Sequence, residues 1–285
     1  VKSPLHGLVK GALSDVEVKD GLVFAIATLV VWPQLPDRAL GPFAAINPHR
    51  IWLVVVLVLT LGAAGHAAIR IFGRRYGLPF AGLAAGFVSS TAAIGSMAGR
   101  AAQDPASLRP AVAGSAFSTV STFVQMAIML SVVSPPTLVA LAPMLVAGAL
   151  FATIWAFAFT FAFAFCGSSA ATPEDDASGS GRAFSVVAAL TLAALLAAML
   201  VLTAALKSKL GTAGVLAATA LAGLVDTHAA AISVASLVSS APLTAQESVV
   251  PILAAMTSNA LAKIALAVGV GSRDFALRIV PGGSV

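Results

Sequence analysis

The stretch from Gly77 to Ala98, GLPFAGLAAGFVSSTAAIGSMA, is echoed from Gly214 to Ala235 by GVLAATALAGLVDTHAAAISVA. In each copy a polar triplet interrupts an apolar segment of membrane length. Ser89-Ser90-Thr91 lies over Asp226-Thr227-His228, each triplet starting three residues after a glycine, Gly86 or Gly223. Interrupted apolar segments at corresponding places in two halves of a chain are the sequence pattern of a transporter-type binding site.

Working outward, the 285 residues are 59% hydrophobic and 9% charged, with a mean hydropathy of +0.99. A soluble domain carries about 25% charged residues, so this is a polytopic membrane protein. The apolar runs lack strand-like alternation and are long enough for helices of about 20 residues. The expected fold class is all-α, a transmembrane bundle of about eight helices. The segments fall near 20–33, 50–73, 77–99, 110–134, 137–166, 183–206, 212–238 and 246–271. They group into a first membrane repeat over 20–134 and a second over 137–271, flanked by a connector (1–19) and a tail (272–285).

The separation of 137 residues between Gly86 and Gly223 also relates Gly77 to Gly214 and Ser96 to Ser233. In the segment after each triplet, an offset of 138 lays Ser121 over Asn259 and Gln125 over Lys263. Each half then has four helices, the third broken and the fourth lined with polar groups. An even number of full crossings per half makes the repeats parallel, unless a re-entrant segment inverts them; parallel repeats are the expectation.

Counting Lys and Arg on alternate sides puts ten on the side of both termini and five, Arg38, Arg50, Arg100, Arg109 and Arg182, on the other. The positive-inside bias therefore predicts cytoplasmic termini. The opening residues are charged and amphipathic rather than a signal peptide, and with no initiator Met at Val1 they read as a connector to residues upstream. Cys166, the one cysteine, excludes an internal disulfide. Residues 167–182 have the composition of a polar linker, and the net charge of +5 follows from membrane orientation rather than from nucleic-acid binding.

Asp226 is the most informative single residue, because a carboxylate at bilayer depth costs about 2.5 to 3.5 kcal/mol. It must face an interior or a water-filled cavity, where it is paired, protonated or bound to a cation; any bound metal would sit here. Lys263, the only charge between Glu247 and Arg273, is its expected partner. His228 follows two residues later, and histidine exchanges protons near physiological pH. Ser89, Ser90, Thr91, Thr227 and Asn259 complete the candidate set as neutral ligands for an ion or solute, while the same hydroxyls could equally serve helix packing. No G-x-S-x-G, H-E-x-x-H or Walker A pattern is present, so no enzymatic role and no cofactor beyond a bound cation is expected. The alternative to a transporter or ion pathway is a non-transporting membrane module that regulates or scaffolds a partner; a homo-oligomer fits either.

LPDRALGPFAAINPHRIW (35–52), GFVSSTAAIGSMAGRA (86–101), GLVDTHAAAISVA (223–235) and SNALAKIALAVGVGSR (258–273) together resemble the uncharacterised membrane domain found C-terminally in many MgtC/SapB-type bacterial proteins. That resemblance implies a multi-pass protein of the bacterial inner membrane whose relatives often carry an MgtC-like domain upstream. The family usually has an acidic residue where this chain has His228 and an Arg where it has Gln125, so a two-carboxylate metal site does not carry over.

Overall fold

The computed structural model describes residues 15–164, 186–240 and 242–283, so Cys166 and the 167–182 linker lie outside the described residues. Helices account for nearly all of it, and six are long and apolar enough to cross a membrane. The all-α membrane bundle read from the sequence is what forms.

Helix α1 (15–34) lies antiparallel to α2 (48–76), tied to it by the Trp52 indole donating to the Ala27 carbonyl (2.8 Å) and the Trp32 indole donating to that of His49 (3.2 Å). The face of the bundle carrying the 35–47 connection is here termed the loop face; α2 runs from it to the opposite, tail face. There Gly77 turns the chain with φ of 72°, a conformation that favours glycine, and Pro79 fits the first turn of α3 (78–88).

The next helix does not continue across. Ser89 is extended (φ −164°, ψ 108°), and α4 (90–103) doubles back beside α3. A Cβ placed on Gly114 would lie 2.9 Å from the Leu78 carbonyl oxygen and 3.2 Å from the Met97 sulfur, so both arms reach the same point of α5 (Leu108–Val133). Leu78, Met97, Ala98 and Ala101 share one apolar cluster with Ala111 and Val112. A straight helix over 78–103 would separate its ends by about 39 Å; here they lie together at the tail face. Residues 78–103 are thus a re-entrant hairpin with Ser89 at its tip.

The second half repeats the pattern upside down. Helix α5 runs to the loop face and α6 (Pro135–Ala164) returns to the tail face, where the Trp155 indole donates to the Arg278 carbonyl (3.1 Å). Helix α7 (186–210) goes back to the loop face, and Gly211 (φ 61°) turns the chain into α8 (212–223). After the Leu224–Asp226 break, α9 (Thr227–Ser239) returns to that face: Val215 clusters with Val234, Ala235 and Leu237, and the Lys207 ammonium donates to the Pro242 carbonyl. Helix α10 (Ala245–Val270) then crosses to the tail face, where α11 (Arg273–Gly283) buries Phe275 against the Leu78–Ala101 cluster.

Each half therefore has four segments, of which the third is a hairpin. The first hairpin enters from the tail face and the second from the loop face, so the halves are inverted rather than parallel. The single-span reading of 77–99 and 212–238 is corrected accordingly. Among the described residues the Lys/Arg bias is unchanged, eight on the tail face against four on the loop face, but Arg100 and Arg109 exchange sides with Lys207 and Lys209.

In a Cys166→Ser background, single cysteines at Asp104 and Ser272 are expected to react with an impermeant maleimide from one side of the membrane, and cysteines at Asp37 and Lys209 from the other. A single-span reading places Asp104 with Asp37.

Candidate functional site

The two hairpin tips are built alike. Ser89 caps α4 by accepting from the Ala92 amide (3.3 Å), and Asp226, in the equivalent place and equally extended (φ −154°, ψ 116°), caps α9 by accepting from the His228 amide (2.9 Å). Each break also frees carbonyls at the end of the first arm, and inside a bilayer these need protein donors. The Gln125 amide donates to the Phe87 carbonyl (2.8 Å), the Ser121 hydroxyl to that of Leu83 (2.6 Å), and the Asn259 amide to that of Gly223 (3.0 Å).

Two glycines permit this stapling. A Cβ on Gly86 would stand 2.8 Å from the Ser118 backbone and from the Ser121 hydroxyl; one on Gly223 would stand 2.3 Å from the Ala255 carbonyl oxygen and 2.4 Å from the Ser258 hydroxyl. Gly86 thus meets Ser118 and Ser121 as Gly223 meets Ala255 and Ser258, which sets the repeat at 137 residues here as well. The 138-residue pairing of Gln125 with Lys263 is corrected by one position, to Gln125 with Ala262.

The tips share a cavity of about 310 Å³. Ser89, Ser90 and Thr91 line one side, Asp226, Thr227 and His228 the other, with Gln125 and Asn259 between them and an apolar wall that includes Val54, Met129, Leu192 and Leu196. Towards the loop face, Val54, Leu196 and Ile232 are shared with a larger vestibule of about 630 Å³ that carries Asp37, Arg38 and Arg50. Towards the tail face, Thr227 and Asn259 are shared with a small pocket of about 30 Å³ lined by Lys263, Thr122, Ile94, Ile264 and Ile279. That pocket has room for about a water or two.

All eight candidate residues thus lie around two adjoining cavities, but their pairing differs from the expectation. The Asp226 carboxylate contacts the His228 ring nitrogen Nδ1 at 3.3 Å, both side chains being partly exposed to the cavity. The break makes this possible, because i and i+2 would face apart on an unbroken helix. Among the described residues no carboxylate stands within ion-pair distance of Lys263, whose ammonium donates to the Thr122 hydroxyl at 3.4 Å. The expected direct Asp226–Lys263 pair is therefore replaced by a charge separated from Asp226 by the Thr227 and Asn259 side chains. Thr227, 3% exposed, has a hydroxyl without a hydrogen-bond partner, as has the buried His228 Nε2. Among the described residues no group of three metal-ligating side chains is present, so any cation at Asp226 would draw on neutral oxygens.

The apolar wall was not legible as part of the site, since Val54 and Leu192 look like any lipid-facing residues in a run of Val and Leu. The stapling amides carried a faint signal: Gln125 and Asn259 are amides inside apolar segments, each one helix after a polar triplet.

A family model described as Domain of unknown function (DUF4010) matches residues 56–271, a range that contains both hairpins and both stapling helices, and the chain belongs to that family. No curated protein and no solved structure matches it.

Gly223→Ala is expected to lower stability by about 1–3 kcal/mol through overpacking, read as a fall in the midpoint of thermal unfolding. Gly269→Ala, where a Cβ meets open space, is expected to leave that midpoint unchanged or raised.

Proposed function

We propose that this DUF4010 protein is a secondary transporter that binds a small cation, or a solute coupled to a cation or proton, between its two hairpin tips. One observation carries the reading: inverted hairpins, broken at equivalent residues, present Ser89 and Asp226 to one cavity that adjoins a vestibule on the loop face. Inverted repeats with interrupted helices around a central site are the architecture by which one half rocks against the other to alternate access. In the conformation described, the vestibule leads to the loop face, while Phe275 and Ile279 pack against the hairpin at the tail face.

Asp226 carries the coupling charge on this reading. Its Oδ1 accepts from the His228 amide and faces the His228 ring nitrogen, and the side chain remains 29% exposed to the cavity, within reach of a proton or cation. Arrival of that ion neutralises the carboxylate and weakens its hold on His228, which changes the electrostatics of a hairpin tip rather than of a rigid wall. Lys263 supplies the opposite charge from the small pocket behind Thr227. No enzymatic step and no cofactor enters the reading.

The Lys/Arg bias supports the tail face, and with it both ends of the described chain, as cytoplasmic. The motif resemblance supports the bacterial inner membrane as its location and an MgtC/SapB-type protein as its context. The apolar outer faces of the helices meet lipid.

Asp226→Asn keeps a capping side chain while removing the charge. In proteoliposomes loaded with a pH-sensitive dye and challenged with sodium and magnesium salts and small carboxylates, the wild-type protein is expected to couple solute entry to proton or sodium movement. The variant should fold normally and lose at least tenfold of that coupling. Wild-type liposomes without coupled movement would remove the transport reading; full activity in Asp226→Asn would remove Asp226 from it.

A further inference from the structure

We infer that the cavity contains an oxyanion subsite at the start of α4, and that it takes the carboxylate of a short aliphatic solute; this rests on the transport reading and names its substrate class.

Two helix N-termini face the cavity, and their charges are met unequally. At α9 the Asp226 carboxylate accepts from the first-turn amide of His228, so the positive end of that helix is already offset by a full negative charge. At α4 the equivalent residue is Ser89, whose neutral hydroxyl accepts from Ala92 at 3.3 Å. The amides of Ser90 and Thr91 belong to the first turn, where a helix offers no acceptor, and both residues line the cavity.

A second and independent set of groups surrounds the same space. The hydroxyl of Thr227, a residue 3% exposed, lacks a partner; it sits between the cavity and the Lys263 pocket. Lys263 adds a buried ammonium that no carboxylate touches among the described residues. A helix end offset only by a neutral cap, a buried ammonium that no carboxylate contacts among the described residues, and a Thr227 hydroxyl free to donate together favour one bound anion.

Shape narrows the class. At about 310 Å³ the cavity stands at the small end of ligand pockets, which run from about 300 to 1,000 Å³. One wall is aliphatic, formed by Val54, Met129, Leu192 and Leu196, and that wall suits a hydrocarbon stub rather than the second hydrated face of an inorganic tetrahedral anion. A short carboxylate satisfies both walls at once.

Thermal unfolding of the purified full chain in detergent, titrated with the sodium salts of propionate, phosphate, sulfate and chloride at matched ionic strength, tests this. Propionate is expected to raise the midpoint saturably, because a ligand of the folded state stabilises it by mass action; chloride is expected to have no effect. Thr227→Val is expected to leave the unliganded midpoint unchanged or raised, since it removes an unsatisfied hydroxyl, and to weaken the apparent propionate Kd about tenfold through loss of one charge-assisted hydrogen bond. Should that variant fold poorly, Ser89→Asp supplies the second arm: it places a carboxylate at α4 as Asp226 does at α9 and is expected to abolish the propionate response. A midpoint that responds only to phosphate or sulfate, or not at all, overturns the inference. So does a propionate response that persists undiminished in Ser89→Asp. Loss of the propionate response with ion-coupled movement of another solute intact would leave the transport reading standing, so the two fail separately.

Discussion

A helix that stops in the middle of a bilayer exposes backbone groups to hydrocarbon, where each unpaired one costs several kcal/mol. The whole arrangement follows from how this chain meets that cost. Gln125 and Asn259 reach across from α5 and α10 to the carbonyls of Phe87 and Gly223, and Ser89 and Asp226 take amides at the opposite side of each break. Such long-range staples need the scaffold helix within backbone contact of the hairpin, which the absence of a side chain at Gly86 and Gly223 allows. The polar residues, the glycines and the breaks are therefore one device made twice.

Inversion gives the device its consequence. Because the first hairpin enters from the tail face and the second from the loop face, their tips meet only in the interior. The return arm of each hairpin also packs on the other half: a Cβ placed on Gly95 of α4 would lie 3.3 Å from the Leu266 side chain of α10, and the Ser239 hydroxyl of α9 donates to the Val133 carbonyl of α5 at 2.8 Å. A shift of one hairpin is thus felt by the scaffold helix that staples the other. Under the transport reading proposed above, this crossed packing is what would couple opening of one face to closing of the other.

Much of this was legible in the residues. The 137-residue echo located both breaks, and the residues at their tips, Ser89 and Asp226, are good helix caps preceded by a glycine. The direction of the second arm was not legible, because hydropathy reports that residues 77–103 are apolar and long enough to cross, and a hairpin folded at its midpoint has the same composition as a span. One clue lay in position: Ser89 stands close to the middle of its segment, where a cap serves a helix that starts again. The partner of Asp226 was misread for a related reason. Lys263 is the only charge between Glu247 and Arg273 in the sequence, but an unwound backbone brings His228 alongside at 3.3 Å and leaves the lysine with Thr122. The register slip of one residue between α5 and α10 arose because Ser, Thr and Asn match loosely; only the close approach of Gly86 and Gly223 to their neighbours fixes it.

The claim on which the rest stands is that the two tips occupy one space midway through the bundle. Pulsed electron paramagnetic resonance between spin labels at Val88 and Val225, in a Cys166→Ser background and in lipid, measures it directly. The account predicts a single short distance, on the scale of a small-molecule cavity. A separation approaching the hydrocarbon thickness of about 30 Å would contradict it.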